Sequence, residues 1–171
     1  MNQRRPELKL YADVLSWLRA LIGGGMVVTP LLVHDRKVAA RILISEFALG
    51  YLTDLYDGDL ARLSGMPSSH ALDGLCDTAL VFGLVISTEQ VDQRRGTIEA
   101  TMALVAASFA AEVAKLSPEM MRHVHRLHAF VVAGHCLAQL VRLANVSGLN
   151  RRMEVLSIAG STVMLAAWRH K

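Results

Sequence analysis

Five aspartates lie between positions 54 and 77 of the chain, and four of them are considered together: Asp54, Asp57, Asp73 and Asp77. They form two pairs with spacings of three and four residues, so on helices each pair would lie on one face. Burying carboxylates at membrane depth is costly, and a chain that keeps four at one level usually uses them for ions or chemistry. Carboxylate oxygens suit hard divalent cations, Mg²⁺ or Mn²⁺, which can bridge a diphosphate and orient a leaving group. A carboxylate that is not a ligand could accept the proton of an attacking hydroxyl group.

Small and basic residues follow the first aspartate pair. Gly58 and Ala61 lie on the same helical turns, where small side chains would let a ligand approach the helix backbone. Arg62 offers a planar set of donors that matches the oxygens of a phosphate group. The stretch therefore predicts a site for a phosphate-containing substrate.

The aspartates interrupt a very apolar chain. Of its 171 residues, 53% are hydrophobic and 19% are charged, whereas an average soluble chain has roughly 25% charged residues. The basic residues are spread along the sequence without a Lys/Arg block, which argues against nucleic acid as a partner. Cys76 and Cys136 are isolated and indicate neither a disulfide framework nor a zinc site. The length predicts a single domain covering residues 1–171.

Six apolar segments come close to the roughly 20 residues that cross a bilayer. They are Val14–Val33, Val38–Tyr56, Ala71–Ile86, Ile98–Ala114, Leu127–Leu143 and Val155–Trp168. Between them lie polar breaks, predicted at His34–Lys37, Asp57–Ser69, Ser87–Gly96, Lys115–Arg126 and Asn145–Arg152. Charged residues inside the segments, such as Glu46 and Arg142, favour a bundle that turns its polar groups inward. We therefore predict an all-α fold, a polytopic membrane bundle of six transmembrane helices.

A run of three glycines, Gly23 to Gly25, lies in the first apolar segment. Small residues let helices approach closely in a membrane. We interpret the run as a helix contact or a kink rather than a ligand site.

Seven of the residues named above resemble the signature of the CDP-alcohol phosphatidyltransferases, Asp-x-x-Asp-Gly-x-x-Ala-Arg followed by Asp-x-x-x-Asp. The matching positions are Asp54, Asp57, Gly58, Ala61, Arg62, Asp73 and Asp77. The small six-helix layout is also similar to that of the family. In the first segment, the stretch from Leu15 to Arg19 is similar to a Leu-Thr-x-x-Arg element of the family.

The resemblance implies an integral membrane transferase that moves a phosphatidyl group from CDP-diacylglycerol to a small polar alcohol and releases CMP. Glycerol 3-phosphate is the favoured acceptor. The metal ligands implied for Mg²⁺ or Mn²⁺ are Asp54, Asp57, Asp73 and Asp77, the last of which is also the implied general base. Gly58 and Ala61 would line the cytidine pocket, and Arg62 would contact phosphate. We expect a multi-pass homodimer among the lipids of a bacterial inner membrane.

The segment between Arg62 and Asp73 departs from the family pattern. It is two residues shorter than usual, and Ser69 stands where the family has a glycine. Thr78 follows Asp77 where a basic residue is frequent. We expect the shorter turn to shift one aspartate pair against the other by about half a helical turn. A non-catalytic family relative therefore stays an alternative.

The same segment contains a second resemblance. Pro67-Ser68-Ser69-His70 is similar to the Pro-Ser-x-His element of membrane lipid-phosphate phosphatases. The other two elements of that pattern are absent from the sequence. A phosphatase is the alternative from another enzyme class.

A basic cluster, which includes Arg122, Arg126 and His128, begins the fifth apolar segment. It could bind the phosphate of an acceptor such as glycerol 3-phosphate, or it could touch lipid headgroups. Further along this segment, we interpret His135 and Arg142 as hydrogen-bond partners of neighbouring helices.

Overall fold

The computed structural model describes residues 5–65, 70–93, 96–113 and 118–149, and the regular elements in these ranges are all α-helices. They are α1 (Pro6–Leu32), α2 (Arg36–Ser64), α3 (His70–Asp92), α4 (Thr97–Val113) and α5 (Pro118–Ser147). The prediction of an all-α fold is confirmed for this part of the chain. The sixth predicted segment, Val155–Trp168, lies outside the described residues.

Within the described ranges, three stretches are long and apolar enough to cross a membrane: Pro6–Leu32, Asp73–Asp92 and Ala129–Ser147. They lie on α1, α3 and α5 and indicate a membrane protein. Helix α2 is not among them, and its apolar segment is interrupted by Glu46 and Asp54. Helix α4 has 17 described residues, at the lower end of the length of a span. The count of six spans stays a prediction.

The helices run further than the apolar segments and extend into several of the polar breaks between them. Helix α2 continues to Ser64 through the break predicted to begin at Asp57, and α5 begins at Pro118 instead of Leu127. Backbone hydrogen bonds hold a helix together whatever its side chains, so a helix can continue past the apolar residues. The consequence is that Asp57 and Arg62 lie on the last turns of a helix.

Helices α1 and α2 are joined by a short turn, and their other ends are also tied together. Asp35 caps α2, because its Oδ1 accepts from the backbone N–H of Lys37 (2.8 Å) and of Val38 (3.2 Å). At the far end, the N–H of Arg5 donates to the carbonyl of Ser64 over 3.0 Å. The first turns of α1 therefore lie beside the last turns of α2.

Helices α1 and α3 cross with their backbones in contact at Gly23 and Gly83. A methyl group built on Gly23 would lie 2.6 Å from the carbonyl carbon of Ala79 and 2.8 Å from the backbone nitrogen of Leu80. A methyl group on Gly83 would in turn meet the backbone of Gly23. A methyl group added to Gly24 would contact no other atom within 4 Å. The interpretation of the glycine run as a helix contact is therefore confirmed for Gly23.

Apolar side chains fill the space between the helices and also cover much of the outside. Met26, Leu43, Leu84 and Leu143 are completely buried at the centre of the core. On α1, large apolar side chains are exposed along the helix, and Leu21 is 71% exposed. Such a surface suits a bilayer, where apolar side chains face lipid instead of water.

Polar side chains inside the bundle are paired across helices at the end of α3 that is remote from Asp73. Arg142 donates from Nε to Oδ2 of Asp92 over 2.8 Å. The hydroxyl of Thr101, on α4, lies 2.8 Å from Nε2 of His135. The interpretation of His135 and Arg142 as interhelical partners is confirmed.

Candidate functional site

The side chain of Arg19, on α1, lies among the carboxylates of the aspartate cluster and is 1% exposed. Its Nη1 is 3.0 Å from Oδ1 of Asp54 and also forms an ion pair with Asp77. Its Nη2 forms an ion pair with Asp57. Arg19 therefore gathers carboxylates from both signature stretches onto one guanidinium group, although its Nε has no hydrogen-bond partner among the described residues.

Ser16 lies one turn before Arg19 on the same face of α1. Its Oγ is 2.9 Å from Oδ2 of Asp57 and 3.1 Å from Oδ1 of Asp73. The hydroxyl has one proton and can donate to one of them at a time. Together, Ser16 and Arg19 bring all four predicted ligand residues into contact with a single helix.

The aspartate cluster carries more negative charge than its basic partner can neutralise. With all groups ionised, four carboxylates and one guanidinium leave a net charge of −3. Asp57 is buried, whereas the side chains of Asp54 and Asp77 are 47% and 53% exposed. The surplus charge therefore lies on the accessible side of the cluster.

This set of oxygen donors fits a hard divalent cation in its chemistry. Its arrangement is organised around Arg19 instead. In the part of the chain that the structure describes, no three carboxylate, imidazole or thiol groups are placed so that they could hold one metal ion. Three of the carboxylates contact the guanidinium group.

A cavity of about 230 Å³ lies beside the cluster, between α1, the end of α2 and the start of α3. Its lining residues are Lys9, Ala12, Asp13, Ser16, Asp57, Gly58, Ala61, Arg62 and Asp73. A methyl group added to Gly58 would approach only Nη1 of Arg62, at 3.8 Å, so the helix backbone is accessible there. Gly58, Ala61 and Arg62 therefore line the same cavity as two of the aspartates.

The two cations at this cavity are paired with carboxylates on their own helices. Lys9 forms an ion pair with Asp13, and Arg62 forms one with Asp59. Arg62 is exposed, and ion pairs of exposed groups contribute little free energy. A phosphate group entering the cavity can therefore compete for Arg62 at small cost.

Sequence reasoning matched the stretch that contains Ser16 and Arg19 to a family element but assigned no role to either residue, and it did not consider Lys9. A signal was present for all three. Lys9, Asp13 and Ser16 follow one another at helical spacings of four and three, and Arg19 continues the series after three more residues. A polar stripe through the first apolar segment is what a helix facing a charged site requires.

Some predicted site residues lie outside the described part of the structure. Helix α5 carries Arg122, Arg126 and His128, but their side chains are not among those described. Residues 66–69, which contain most of the phosphatase-like element, also lie outside, as does the side chain of His70. The acceptor site and the expected half-turn shift stay predictions.

A family model matches most of the chain. It is that of the CDP-alcohol phosphatidyltransferases, and the match covers residues 9–163. This range contains the complete aspartate cluster and Ser16 and Arg19 of α1. No curated protein and no solved structure matches the chain.

Proposed function

The chain belongs to the CDP-alcohol phosphatidyltransferase family, and on that premise we propose that it transfers a phosphatidyl group from CDP-diacylglycerol to a small polar alcohol and releases CMP. The observation that carries this proposal is the convergence of the four aspartates on Ser16 and Arg19. Two of the four, Asp57 and Asp73, line the cavity together with Gly58, Ala61 and Arg62. Substrate diphosphate and acceptor hydroxyl would meet at this place.

The proposed ligands of Mg²⁺ or Mn²⁺ are Asp54, Asp57 and Asp73, with Asp77 beside them. A bound divalent cation would neutralise the charge that develops on the diphosphate and would orient the leaving group. Ser16 would orient two of the ligands, because its hydroxyl lies within hydrogen-bond distance of both Asp57 and Asp73. This contact comes from α1 and keeps carboxylates of α2 and α3 at a set separation.

Asp77 is the proposed general base. About half of its side chain is exposed, so a carboxylate oxygen can reach an acceptor hydroxyl group. In the proposed step, the hydroxyl proton passes to Asp77 and the alcohol oxygen bonds to the lipid-side phosphorus. The bond from that phosphorus to the bridging oxygen breaks, and the electron pair leaves with CMP. Arg62 would bind phosphate oxygens at the cavity, with Gly58 and Ala61 beside the cytidine.

Glycerol 3-phosphate is the proposed acceptor, because the basic cluster on α5 could bind its phosphate group. Arg122, Arg126 and His128 on α5 are the proposed contacts. We also propose that the protein works as a homodimer in a bacterial inner membrane.

The direct test is CMP release from CDP-diacylglycerol by purified protein in detergent, with Mn²⁺ or with EDTA, across a panel of acceptor alcohols. We expect release that needs both the metal and one acceptor, with glycerol 3-phosphate the most active. Absence of release from folded protein with every acceptor would contradict the transferase and favour a non-catalytic relative. Release of inorganic phosphate from a lipid phosphate, dependent on His70, would favour the phosphatase.

Variants of three aspartates connect the activity to the cluster. Asp57→Asn and Asp77→Asn should abolish CMP release while the protein stays folded, because each removes a charged oxygen from the site. Asp59→Asn is the matched control. Asp59 lies on α2, like Asp57, but it is exposed and contacts Arg62 instead of the aspartate cluster. The control should retain CMP release. Turnover like that of the wild type in Asp57→Asn or Asp77→Asn would contradict the assignment of the site.

A further inference from the structure

Asp13, on α1, places a carboxylate at the cavity, and the proposed function assigns no role to it. It lines the cavity together with Lys9, which lies one helical turn before it, and the two side chains form an ion pair. The pair engages Oδ1 of Asp13, which leaves Oδ2 able to accept a hydrogen bond from a ligand. The side chain of Asp13 is 35% exposed, so a molecule in the cavity can reach it.

Two contacts between α1 and α2 fix the level of Asp13 along α2. Near the start of α1, the N–H of Arg5 donates to the carbonyl of Ser64. Further along α1, the hydroxyl of Ser16 lies 2.9 Å from Oδ2 of Asp57. Asp13 lies between these two points on α1. It is therefore level with the stretch of α2 between residues 57 and 64.

That stretch of α2 contains Gly58 and Ala61, the residues proposed to lie beside the cytidine. Both have small side chains or none, and within 4 Å a methyl group on Gly58 would meet only Nη1 of Arg62, at 3.8 Å. A flat ring can therefore lie against α2 at this level. The side of the cavity that α1 forms would then present Asp13 to the edge of the ring.

We propose that Asp13 selects the nucleobase of the CDP-lipid, and that its Oδ2 accepts a hydrogen bond from the amino group at position 4 of cytosine. The inference rests on the proposed function for the nucleotide. An ionised carboxylate accepts hydrogen bonds and cannot donate them. Aspartate accepts from this same amino group where proteins read the bases of nucleic acids. Uracil has an oxygen at position 4, so in the same orientation it would place an acceptor against the carboxylate.

Lys9 is the positioning residue for this contact. Its side chain is 17% exposed, so the ion pair with Asp13 is largely shielded from water. The ammonium group has three N–H donors, and the pair with Oδ1 uses one of them. The ion pair can therefore stay in place while the base binds, and the other donors can reach phosphate oxygens of the same nucleotide.

The experiment measures the affinities of CDP and UDP for the full chain in detergent by isothermal titration calorimetry, at one concentration of Mn²⁺. We expect the wild type to bind CDP at least tenfold more tightly than UDP, which corresponds to about 1.4 kcal/mol. Asp13→Asn should bind UDP more tightly than the wild type does, because the amide group can donate to the oxygen at position 4. A purely structural role of Asp13 would instead weaken the binding of both nucleotides.

A third nucleotide tests the contact in the unaltered protein, which also serves if Asp13→Asn does not fold. The 2-pyrimidinone analogue of CDP has a hydrogen at position 4, so it neither donates nor accepts there. It should bind to the wild type more weakly than CDP and more tightly than UDP. Equal affinities for CDP and the analogue would contradict a contact with the amino group.

Glu7→Gln is the matched control. Glu7 is an exposed carboxylate in the first turn of α1, six residues before Asp13 and on another face of the helix. Its preference for CDP over UDP should equal that of the wild type.

The outcomes separate this inference from the proposed function. If the wild type releases CMP from CDP-diacylglycerol but binds CDP and UDP equally, the role of Asp13 is overturned and the proposed function stands. The same holds if Asp13→Asn keeps the preference of the wild type. If the wild type binds neither nucleotide and releases no CMP, the proposed function is overturned together with this inference.

Discussion

Replacing Gly23 with alanine should separate α1 from α3 and damage the aspartate cluster one turn away. A methyl group at this position would lie 2.6 Å from the carbonyl carbon of Ala79, whereas carbon atoms in contact are normally about 3.5–4.0 Å apart. The atoms it meets belong to the backbone of α3, so no side chain can rotate away. The helices must therefore move apart by about 1 Å.

The magnitude follows from comparison with Gly24→Ala. Both changes gain about 1 kcal/mol of helix propensity, so this gain cancels between them. Gly24 has nothing within 4 Å, whereas overpacking at Gly23 costs about 1–3 kcal/mol. Because the clash is with backbone, we expect the upper end, a difference of about 3 kcal/mol between the variants. For a chain of this size, that corresponds to roughly 6–12 °C in melting temperature.

The activity should fall together with the stability. Arg19 lies one helical turn from Gly23, so the shift would lengthen its contact with Asp77, on α3, by about 1 Å. Misplacement of catalytic groups by that amount can cost up to about 100-fold in rate. The assay compares melting temperature and CMP release of the two variants in one detergent. Equal melting temperatures for Gly23→Ala and Gly24→Ala would refute the close helix crossing.

Three further variants test other contacts. Ser16→Ala should lower CMP release at least tenfold with little change in melting temperature, because Asp57 loses the hydrogen bond from the Ser16 hydroxyl. Ser45→Ala, at an exposed position on α2, is the control and should match the wild type in the same assay. Lys9→Gln should raise the KM for the CDP-lipid more than it lowers kcat, because Lys9 lines the cavity. Both constants are measured from CMP release. An unchanged KM would contradict a contact between Lys9 and phosphate. Arg142→Met should destabilise the protein by about 1.5–3 kcal/mol in chemical unfolding, because Asp92 loses a charge-assisted hydrogen bond in a partly buried place. An unchanged free energy of unfolding would contradict the contribution of this pair.

Much of the fold was predictable from local patterns. The first five apolar segments lie on the observed helices, because an apolar run of this length has few other ways to satisfy its backbone in a membrane. The helix ends were less predictable. Helix α2 extends into a predicted polar break and ends at Ser64. The next residue, Gly65, has a left-handed φ of 65°, so the glycine ends the helix and the polar side chains do not.

The side chains that contact the aspartates could not be predicted from local sequence patterns. Spacing placed Asp54 beside Asp57, and Asp73 beside Asp77, since helical geometry depends only on residue number. Nothing in the spacing says that a guanidinium from α1 reaches both pairs. That contact depends on the crossing at Gly23, which sets how closely α1 approaches α3.

By itself, the sequence determined the chemical types and the local faces: an apolar helical chain, two aspartate pairs and a glycine contact in the first segment. These follow from composition and helical period. Only the tertiary structure decided that Ser16 and Arg19 hold the two pairs together, and that a cavity opens between Lys9 and Arg62. The physical reason is that helical period relates residues on one helix, whereas the contacts between helices depend on the packing of their backbones and the neutralisation of buried charge.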